Sequence, residues 1–178
     1  MKNRLLVAAL LLFLLPLPGF SQTVWKAYSS SISFKIKNAG VTVTGRFDSL
    51  QAHLVFSPDK LGTSSLKGNV AVSTIKTGID KRDKDLKKEG YFDAEKYRTI
   101  TIASTKLYKK GTQYAGMFNV TIKGTTKQIE IPFDFIQHTN EAEFSGNFTI
   151  NRRDFGVGGS SMIMADDLNV TIVVKAKE

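Results

Sequence analysis

Apolar and polar residues alternate with a period of two along most of the chain after residue 31. Ile32, Phe34 and Ile36 are separated by polar residues, which is the pattern of a strand with one buried face. The alternation recurs in further segments with these apolar positions: Val41, Val43, Phe47; Leu50, Ala52, Leu54, Phe56; Leu66, Val70, Val72; Ile100, Ile102; Tyr114, Phe118, Val120, Ile122; Ile129, Ile131, Phe133, Phe135; Phe144, Phe148, Ile150; and Leu168, Val170, Ile172, Val174. The pattern predicts an all-β domain of about eight or nine short strands.

Evenly spaced strands with one apolar face are typical of a sandwich or of an antiparallel up-and-down β-barrel. Closure into a barrel removes the unpaired edges that an open sheet exposes. About eight strands is also the barrel size that can hold one small ligand. The number of strands alone leaves both architectures open.

Two segments interrupt the strand pattern. The charged run from Lys81 to Glu89 contains good helix formers between Gly78 and Gly90, and it predicts a short exposed helix. The stretch 154–167 is rich in Gly and Ser and predicts a mobile loop with an apolar tip at its methionines. In addition, Lys123-Gly124-Thr125 predicts a hairpin connection between two strands.

The N-terminal residues have the layout of a secretory signal peptide. Lys2 and Arg4 precede an uncharged run from Leu5 to Leu15, which is too short to span a bilayer. We therefore expect a signal peptide over residues 1–21, a mature start near Gln22 and one barrel domain over residues 22–178. The chain has no Cys, so we expect neither disulfides nor a lipoprotein anchor.

Positive charge is concentrated in one part of the predicted mature chain. The formal net charge of +9 becomes +7 without Lys2 and Arg4, and ten basic residues stand against five acidic ones between Lys81 and Lys110. Such a patch attracts nucleic acid, an anionic membrane or an anionic head group. Export disfavours nucleic acid, and the plainer interpretation is a solvated helix face.

The usual catalytic residues are scarce. His53 and His138 stand far apart, and there is neither a thiol nor a GxSxG motif. Two pairs of carboxylates occur among Lys and Arg residues, where ion pairing is their ordinary role: Asp83 with Asp85, and Asp166 with Asp167. We therefore predict no enzymatic activity, no metal site and no cofactor.

The phenylalanines indicate what fills the interior. Ten of the twelve lie after the predicted signal peptide, and eight of these fall on the apolar phase of the predicted strands. They form either a fully packed core or the lining of an apolar channel. The sequence pattern leaves both open.

Several separated motifs together resemble the YceI-like family of exported lipid-binding proteins. They are Ser31-Ile32-Ser33-Phe34-Lys35-Ile36-Lys37, Gly45-Arg46-Phe47, Thr77-Gly78 followed by Arg82-Asp83 and Leu86, Tyr91-Phe92-Asp93, Lys123-Gly124-Thr125-Thr126-Lys127, and Asn151-Arg152-Arg153-Asp154-Phe155-Gly156-Val157. The resemblance implies a lipocalin-like barrel whose tunnel holds a polyisoprenoid chain, such as that of an isoprenoid quinone or a prenyl phosphate. It implies binding rather than catalysis. The family is mainly bacterial, which favours the periplasm over secretion into the medium.

The resemblance also suggests a ligand site. We place the lipid tail among apolar residues of the strands, namely Phe34, Phe47, Phe118, Phe133, Phe148 and Ile172. Arg82, with neighbouring Asp83, and Arg152 are candidates for polar contacts with the head group, because a guanidinium can fork onto phosphate or carbonyl oxygens. Phe92 and Phe155 would cap the barrel.

Some alternatives remain beside this site. Arg82 and Arg152 could instead pair with Asp83 or Asp154 and merely pin the helix and loop to the barrel. The family usually has His where this chain has Asn38 and Asp85, so recognition of the head group could differ here.

Two other functions compete with lipid binding. One is a structural or protein-interaction barrel with a filled core, and the other is an enzyme that uses the tunnel as its substrate site. The predicted partner is an isoprenoid or other long-chain lipid and not nucleic acid. Transient contact with a membrane surface and formation of a homodimer are further hypotheses.

Overall fold

The computed structural model describes residues 23–178, and the predicted signal peptide and its cleavage site near Gln22 lie outside the described residues. Within this part of the chain there are nine β-strands and one α-helix, α1 (Asp80–Leu86). The strands are β1 (Val24–Asn38), β2 (Val41–Phe47), β3 (Gln51–Val55), β4 (Ser65–Ala71), β5 (Thr99–Lys110), β6 (Gln113–Ile122), β7 (Thr125–His138), β8 (Glu141–Asn151) and β9 (Met164–Lys177). Short 3₁₀ turns span Leu61–Thr63, Val72–Thr74 and Arg152–Phe155.

Strand β1 closes the sheet into a barrel. Along one edge it pairs antiparallel with β9, and along the other it pairs first with β3 and then with β2. Because β2 and β3 share one place in the ring, the nine strands make a closed antiparallel barrel with eight positions. The prediction of an up-and-down barrel is confirmed, and the sandwich alternative is wrong because pairing of the first and last strands leaves no second sheet.

One part of the barrel wall near the end of β2 is made by irregular structure. Within residues 23–178, the outer edge of β2 pairs at a single bridge, in which Arg46 and Lys76 exchange backbone hydrogen bonds of 2.8 and 2.9 Å. The segment 72–98, which contains α1, fills the space between β2 and β5. The helix predicted over Lys81–Glu89 is therefore present but is shorter and starts one residue earlier.

The tight hairpin between β6 and β7 has the backbone geometry that its sequence predicts. Lys123 and Gly124 have φ angles of +49° and +75°, and they connect the paired residues Ile122 and Thr125. Two consecutive positive φ angles are what a two-residue type I′ hairpin requires, and Gly supplies one of them without steric cost. The predicted hairpin connection is confirmed.

One end of the barrel is filled by aromatic rings. We call this cluster the aromatic floor: Trp25, Phe56, Tyr114, Phe133, Phe135 and Phe144. Phe56 is fully buried at its centre, and the Trp25 indole donates a hydrogen bond of 2.9 Å to the Phe56 carbonyl oxygen. The other half of the barrel is hollow. The sequence left open whether the phenylalanines form a packed core or line a channel. The barrel contains both, a packed core at one end and a channel at the other.

Candidate functional site

The hollow half of the barrel contains two adjoining apolar cavities. The upper cavity lies at the α1 end and encloses about 1240 Å³ of empty space, its opening included. The lower cavity encloses about 600 Å³ on the same basis and reaches Phe133 and Phe144 of the aromatic floor. Five residues line both cavities, namely Leu50, Gly68, Ile102, Phe148 and Ile172. We infer one tunnel that is open near α1 and closed by the floor.

Alternation along the strands explains why the tunnel is apolar. On β9, Leu168, Val170 and Ile172 line the upper cavity, while Thr171 faces outward and accepts a hydrogen bond from Asn147. Polar lining is concentrated where the upper cavity meets α1 and the ends of β1 and β8. We call this end the mouth, and its polar residues include Asn38, Thr77, Arg82 and Arg152.

Ten of the eleven predicted site residues line the tunnel. The upper cavity is lined by Phe34, Phe47, Arg82, Phe92, Phe148, Arg152, Phe155 and Ile172, and the lower cavity by Phe118 and Phe133, with Phe148 and Ile172 again. Asp83 lines neither cavity, because its carboxylate turns back to the backbone of Thr77. That these residues contact a ligand stays a prediction.

The tip of the Phe34 ring lies against a glycine of the neighbouring strand. Gly45 is its partner across β1 and β2, and a Cβ atom added there would stand 2.2 Å from the Phe34 ring. The ring packs in turn on Phe47, at a centroid distance of 5.9 Å, and Phe47 meets Phe92 edge to face at 6.0 Å. This chain of rings joins the barrel wall to the segment after α1.

Thr77 connects the two charged residues at the start of α1. The Asp83 carboxylate accepts hydrogen bonds from the Thr77 backbone N–H at 2.8 Å and from its hydroxyl at 2.5 Å. Arg82 donates to the same hydroxyl oxygen and to the Thr77 carbonyl oxygen, both at 2.7 Å. Arg82 and Asp83 are therefore linked through Thr77, and the described side chains form no direct ion pair between them. Thr77 belongs to one of the family motifs in the sequence. The alternation of apolar and polar residues, however, gives no sign that Thr77 links Arg82 to Asp83.

Asp83 is buried, contrary to the prediction of an exposed helix, with 5 % of its surface accessible. The hydrogen bond from the Thr77 side chain lowers the pKa of Asp83 below its ordinary value of 3.8, helped by the Thr77 backbone and by the positive charges of Lys76 and Arg82. Burial works in the opposite direction and is outweighed. The carboxylate is thus held ionised, and it fixes α1 to Thr77, which follows the bridge between Lys76 and Arg46.

Acid should release this attachment of α1. The folded state binds the Asp83 proton more weakly than the unfolded chain, so the stabilisation is present above about pH 4 and is lost as the pH falls through the lower folded pKa. We expect Asp83→Asn to lower the free energy of unfolding by about 1–3 kcal/mol at neutral pH and by less at pH 3. Urea unfolding at the two pH values measures this difference.

The matched control is Asp85→Asn, on the same helix. Asp85 pairs with Lys88 at 2.7 Å in an exposed position, so its replacement should change the free energy of unfolding far less than that of Asp83. An Asp83→Asn effect of equal size at both pH values would show that the ionised carboxylate does not stabilise the fold.

Arg152 is a buried structural residue that holds the Gly-rich loop. Its guanidinium donates to the carbonyl oxygens of Ala165, Val157 and Gly159 at 2.9–3.0 Å and to the Asp166 carboxylate at 2.7 Å. The alternative prediction that Arg152 pairs with Asp154 was wrong. Its carboxylate partner is Asp166, which lies in β9 on the other side of the loop. Because most of its donors are used, Arg152 has little capacity left for a head group.

Unlike Arg152, Arg82 has a guanidinium nitrogen that donates to no other residue of the described chain. Both of its hydrogen bonds go to Thr77, through Nε and Nη2, and among residues 23–178 nothing accepts from its Nη1. The side chain is only partly buried and lines the upper cavity. Arg82 therefore has free donors at the mouth.

Asn38 is a further polar residue at the mouth. Its Oδ1 is buried and accepts no hydrogen bond within the described part of the chain. A buried acceptor without a donor costs about 1–3 kcal/mol. Of the two positions where the family usually has His, only Asn38 lines the cavity, since Asp85 is absent from both linings and pairs with Lys88.

The described residues contain no group of three or more His, Asp or Glu side chains placed to hold a metal ion. His53 and His138 are both exposed on their strands. Nor does any helix in residues 23–178 combine the length and the apolar surface needed to cross a bilayer.

A closed eight-position barrel with an aromatic floor and an apolar tunnel defines a lipocalin-like cavity protein. The chain belongs to the YceI-like domain family, whose sequence model matches residues 24–176. This confirms the family that the motifs suggested. Among its relatives, a UPF0312 protein of Vibrio cholerae is 30 % identical over 160 residues, which cover 84 % of this chain and 85 % of that protein.

Solved structures share the same fold. BcnA of Burkholderia cenocepacia superposes with a TM-score of 0.79 at 25 % identity, covering 83 % of this chain and 96 % of BcnA. A polyisoprenoid binding domain from Saccharophagus degradans superposes with a TM-score of 0.65 at 16 % identity, covering 88 % of this chain and 99 % of that domain.

Proposed function

We propose that this protein is an exported binding protein that holds an isoprenoid lipid in its tunnel, for carriage, storage or sensing. The observation that carries the proposal is the shape of the interior, a long apolar tunnel with a polar mouth and an aromatic floor. This shape suits a ligand with one polar end and a long hydrocarbon tail. The fold shared with the polyisoprenoid binding domain of Saccharophagus degradans supports the same class of ligand.

The tunnel is large enough for the tail to dominate the binding energy. Its two cavities adjoin and are lined almost entirely by apolar side chains, so a tail that enters them leaves water over much of its length. Each buried CH₂ group contributes about 0.8 kcal/mol, so a few isoprene units suffice for tight binding. Ordering of a flexible tail offsets part of this gain, since affinities saturate near about 18–21 kcal/mol.

The head group would meet Arg82 and Asn38 at the mouth. The free Nη1 donors of Arg82 suit phosphate or quinone carbonyl oxygens, and the buried Oδ1 of Asn38 suits a hydroxyl donor. A prenyl phosphate supplies acceptor oxygens for Arg82, and the reduced form of an isoprenoid quinone supplies a hydroxyl donor for Asn38 and hydroxyl oxygens that can accept from Arg82. Arg152, our other sequence-based candidate, would position the loop instead of the ligand.

Binding is favoured over catalysis by the chemistry of the walls. No His, Asp or Glu of residues 23–178 lines either cavity, so the tunnel offers no carboxylate or imidazole as general base. A purely structural barrel does not need a hollow interior, so the two cavities favour a binding protein over a structural one. Export to the periplasm or the medium is part of the proposal and rests on the predicted signal peptide.

Native mass spectrometry of protein purified from a membrane-containing host tests the proposal. We expect a stoichiometric adduct that organic extraction releases as an isoprenoid, because a buried tail dissociates slowly. Protein that is empty and also fails to take up added isoprenoid quinones or prenyl phosphates would contradict it.

A further inference from the structure

Four large hydrophobic side chains project into solvent at the mouth end of the barrel. Val41, Ile79, Met162 and Ile163 are 66, 53, 104 and 64 % exposed, and we call them the rim. Exposed apolar residues that stand singly are ordinary, but a group of them around one opening marks an interaction site. None of the four lines the tunnel, so packing around the ligand does not explain them.

The rim residues come from three separate segments that meet at the mouth. Asn38 pairs with Val41 on one side and with Met164 on the other, and the backbone N–H of Ala39 donates to the Ile163 carbonyl oxygen at 2.7 Å. Ile79 stands two residues after Thr77 and directly precedes α1. The exposed tips therefore border the opening of the tunnel.

Positive charge surrounds the rim. The segments 35–46 and 76–88, which contain Val41 and Ile79, hold nine basic and three acidic residues, and the segment 156–165 holds no charge. Two of the three carboxylates are engaged, Asp83 with Thr77 and Asp85 with Lys88. Most of the basic residues, including Lys37, Lys76, Lys81 and Lys84, are exposed.

The floor end shows this combination more weakly. Its exposed apolar residues include Val24 and Ile136, and several lysines there pair with carboxylates, whereas exposed Lys26 beside Val24 does not within residues 23–178. Lys177 pairs with Glu141 at 3.1 Å, Lys175 with Glu143 at 3.7 Å, and Lys110 with Glu130 at 2.5 Å. Among the described residues, exposed positive charge without a carboxylate partner is therefore more concentrated beside the apolar tips of the mouth than at the floor end.

We propose that the rim docks on an anionic phospholipid bilayer and brings the mouth to the membrane surface. Apolar tips enter the boundary between head groups and acyl chains, and lysines around them are attracted to anionic head groups. The apolar tips and the lysines both lie at the mouth end of the barrel. If the proposed function holds, docking also gives an isoprenoid a path between bilayer and tunnel that avoids water.

Vesicle binding without any isoprenoid tests the docking by itself. Wild-type protein should bind vesicles of phosphatidylcholine with phosphatidylglycerol more tightly than vesicles of phosphatidylcholine alone, and salt should weaken the binding. The double variant Met162→Ser/Ile163→Ser should bind about tenfold more weakly or worse. Replacing Lys81 and Lys84 by Gln should cost about fivefold for each lysine on the anionic vesicles.

Val24→Ser/Ile136→Ser is the matched control, since it removes two exposed apolar side chains from the floor end. Its vesicle binding should equal that of the wild type. Equal weakening by both double variants, or no binding of wild-type protein to anionic vesicles, would overturn the proposal. A dimer that dissociates in Met162→Ser/Ile163→Ser would also overturn it and make the rim an interface between two copies.

Uptake of an isoprenoid quinone from detergent micelles separates docking from the proposed function. The Met162→Ser/Ile163→Ser variant should take up quinone from micelles as the wild type does, and it should lose uptake from vesicles. Uptake from micelles by a wild type that ignores vesicles would disprove docking and leave ligand binding intact. Vesicle binding without uptake from either source would leave docking and disprove ligand binding.

Discussion

Ile172→Trp should abolish binding of isoprenoids while leaving the barrel folded. Ile172 lines both cavities at their junction and lies opposite Gly146, so an indole at this position fills the tunnel instead of pressing on a packed core. The tail would then lose the whole lower cavity. We expect affinity to fall at least about 100-fold, since each excluded isoprene unit carries several CH₂-sized groups.

The measurement is titration with an isoprenoid quinone in detergent, together with circular dichroism and thermal unfolding of the same sample. Thr171→Trp is the matched control, because it adds the same indole one residue away on the outer face. It should bind like the wild type. Unchanged affinity in a well-folded Ile172→Trp protein would mean that the tail does not enter the tunnel.

Phe56→Ala should cause the largest loss of stability of any single replacement in the floor. Phe56 is fully buried and contacts four other rings, those of Tyr114, Phe133, Phe135 and Phe144, at centroid distances of 4.7–5.7 Å. Removing a buried aromatic side chain typically costs about 3–5 kcal/mol through lost burial and the cavity left behind. Urea unfolding, with the midpoint and slope compared to the wild type, measures the change.

Tyr28→Ala provides the comparison for Phe56→Ala. Tyr28 is an aromatic residue 52 % exposed on β1, so its truncation should cost about 1 kcal/mol or less. If Phe56→Ala were as mild as Tyr28→Ala, the floor would not be a packed core, and the tunnel would have no fixed end.

Sequence reasoning succeeded where one face of a strand decides the structure. Alternation placed Phe34 and Phe148 inside and correctly located the hairpin at Lys123-Gly124, because period and turn geometry are local properties. The alternation pattern did not predict that β1 begins as early as Val24. Residues 26–31 of that strand carry little apolar alternation, and their pairing with β9 depends on the far end of the chain.

The mouth was harder to predict because its contacts depend on chain reversals. Arg152 was a candidate for the head group, with neighbouring Asp154 as its alternative partner. Its actual partner, Asp166, reaches it only after the loop turns back into β9. Asp83 looked like a solvated helix residue, and its burial follows from the way segment 72–98 closes the wall beside β2. Tertiary placement overrides a local charge pattern in both cases.

The aromatic floor gives the tunnel a finite depth. On β9 the lining runs from Met164 to Val174, about 33 Å along the strand at ~3.3 Å per residue. With a strand tilt of about 40°, the depth along the barrel axis is about 25 Å. The depth of the tunnel thus limits the length of hydrocarbon chain that the barrel can enclose. A tail up to this length is fully sheltered from water. A longer tail must fold back inside the tunnel or leave its polar end outside, beyond Arg82.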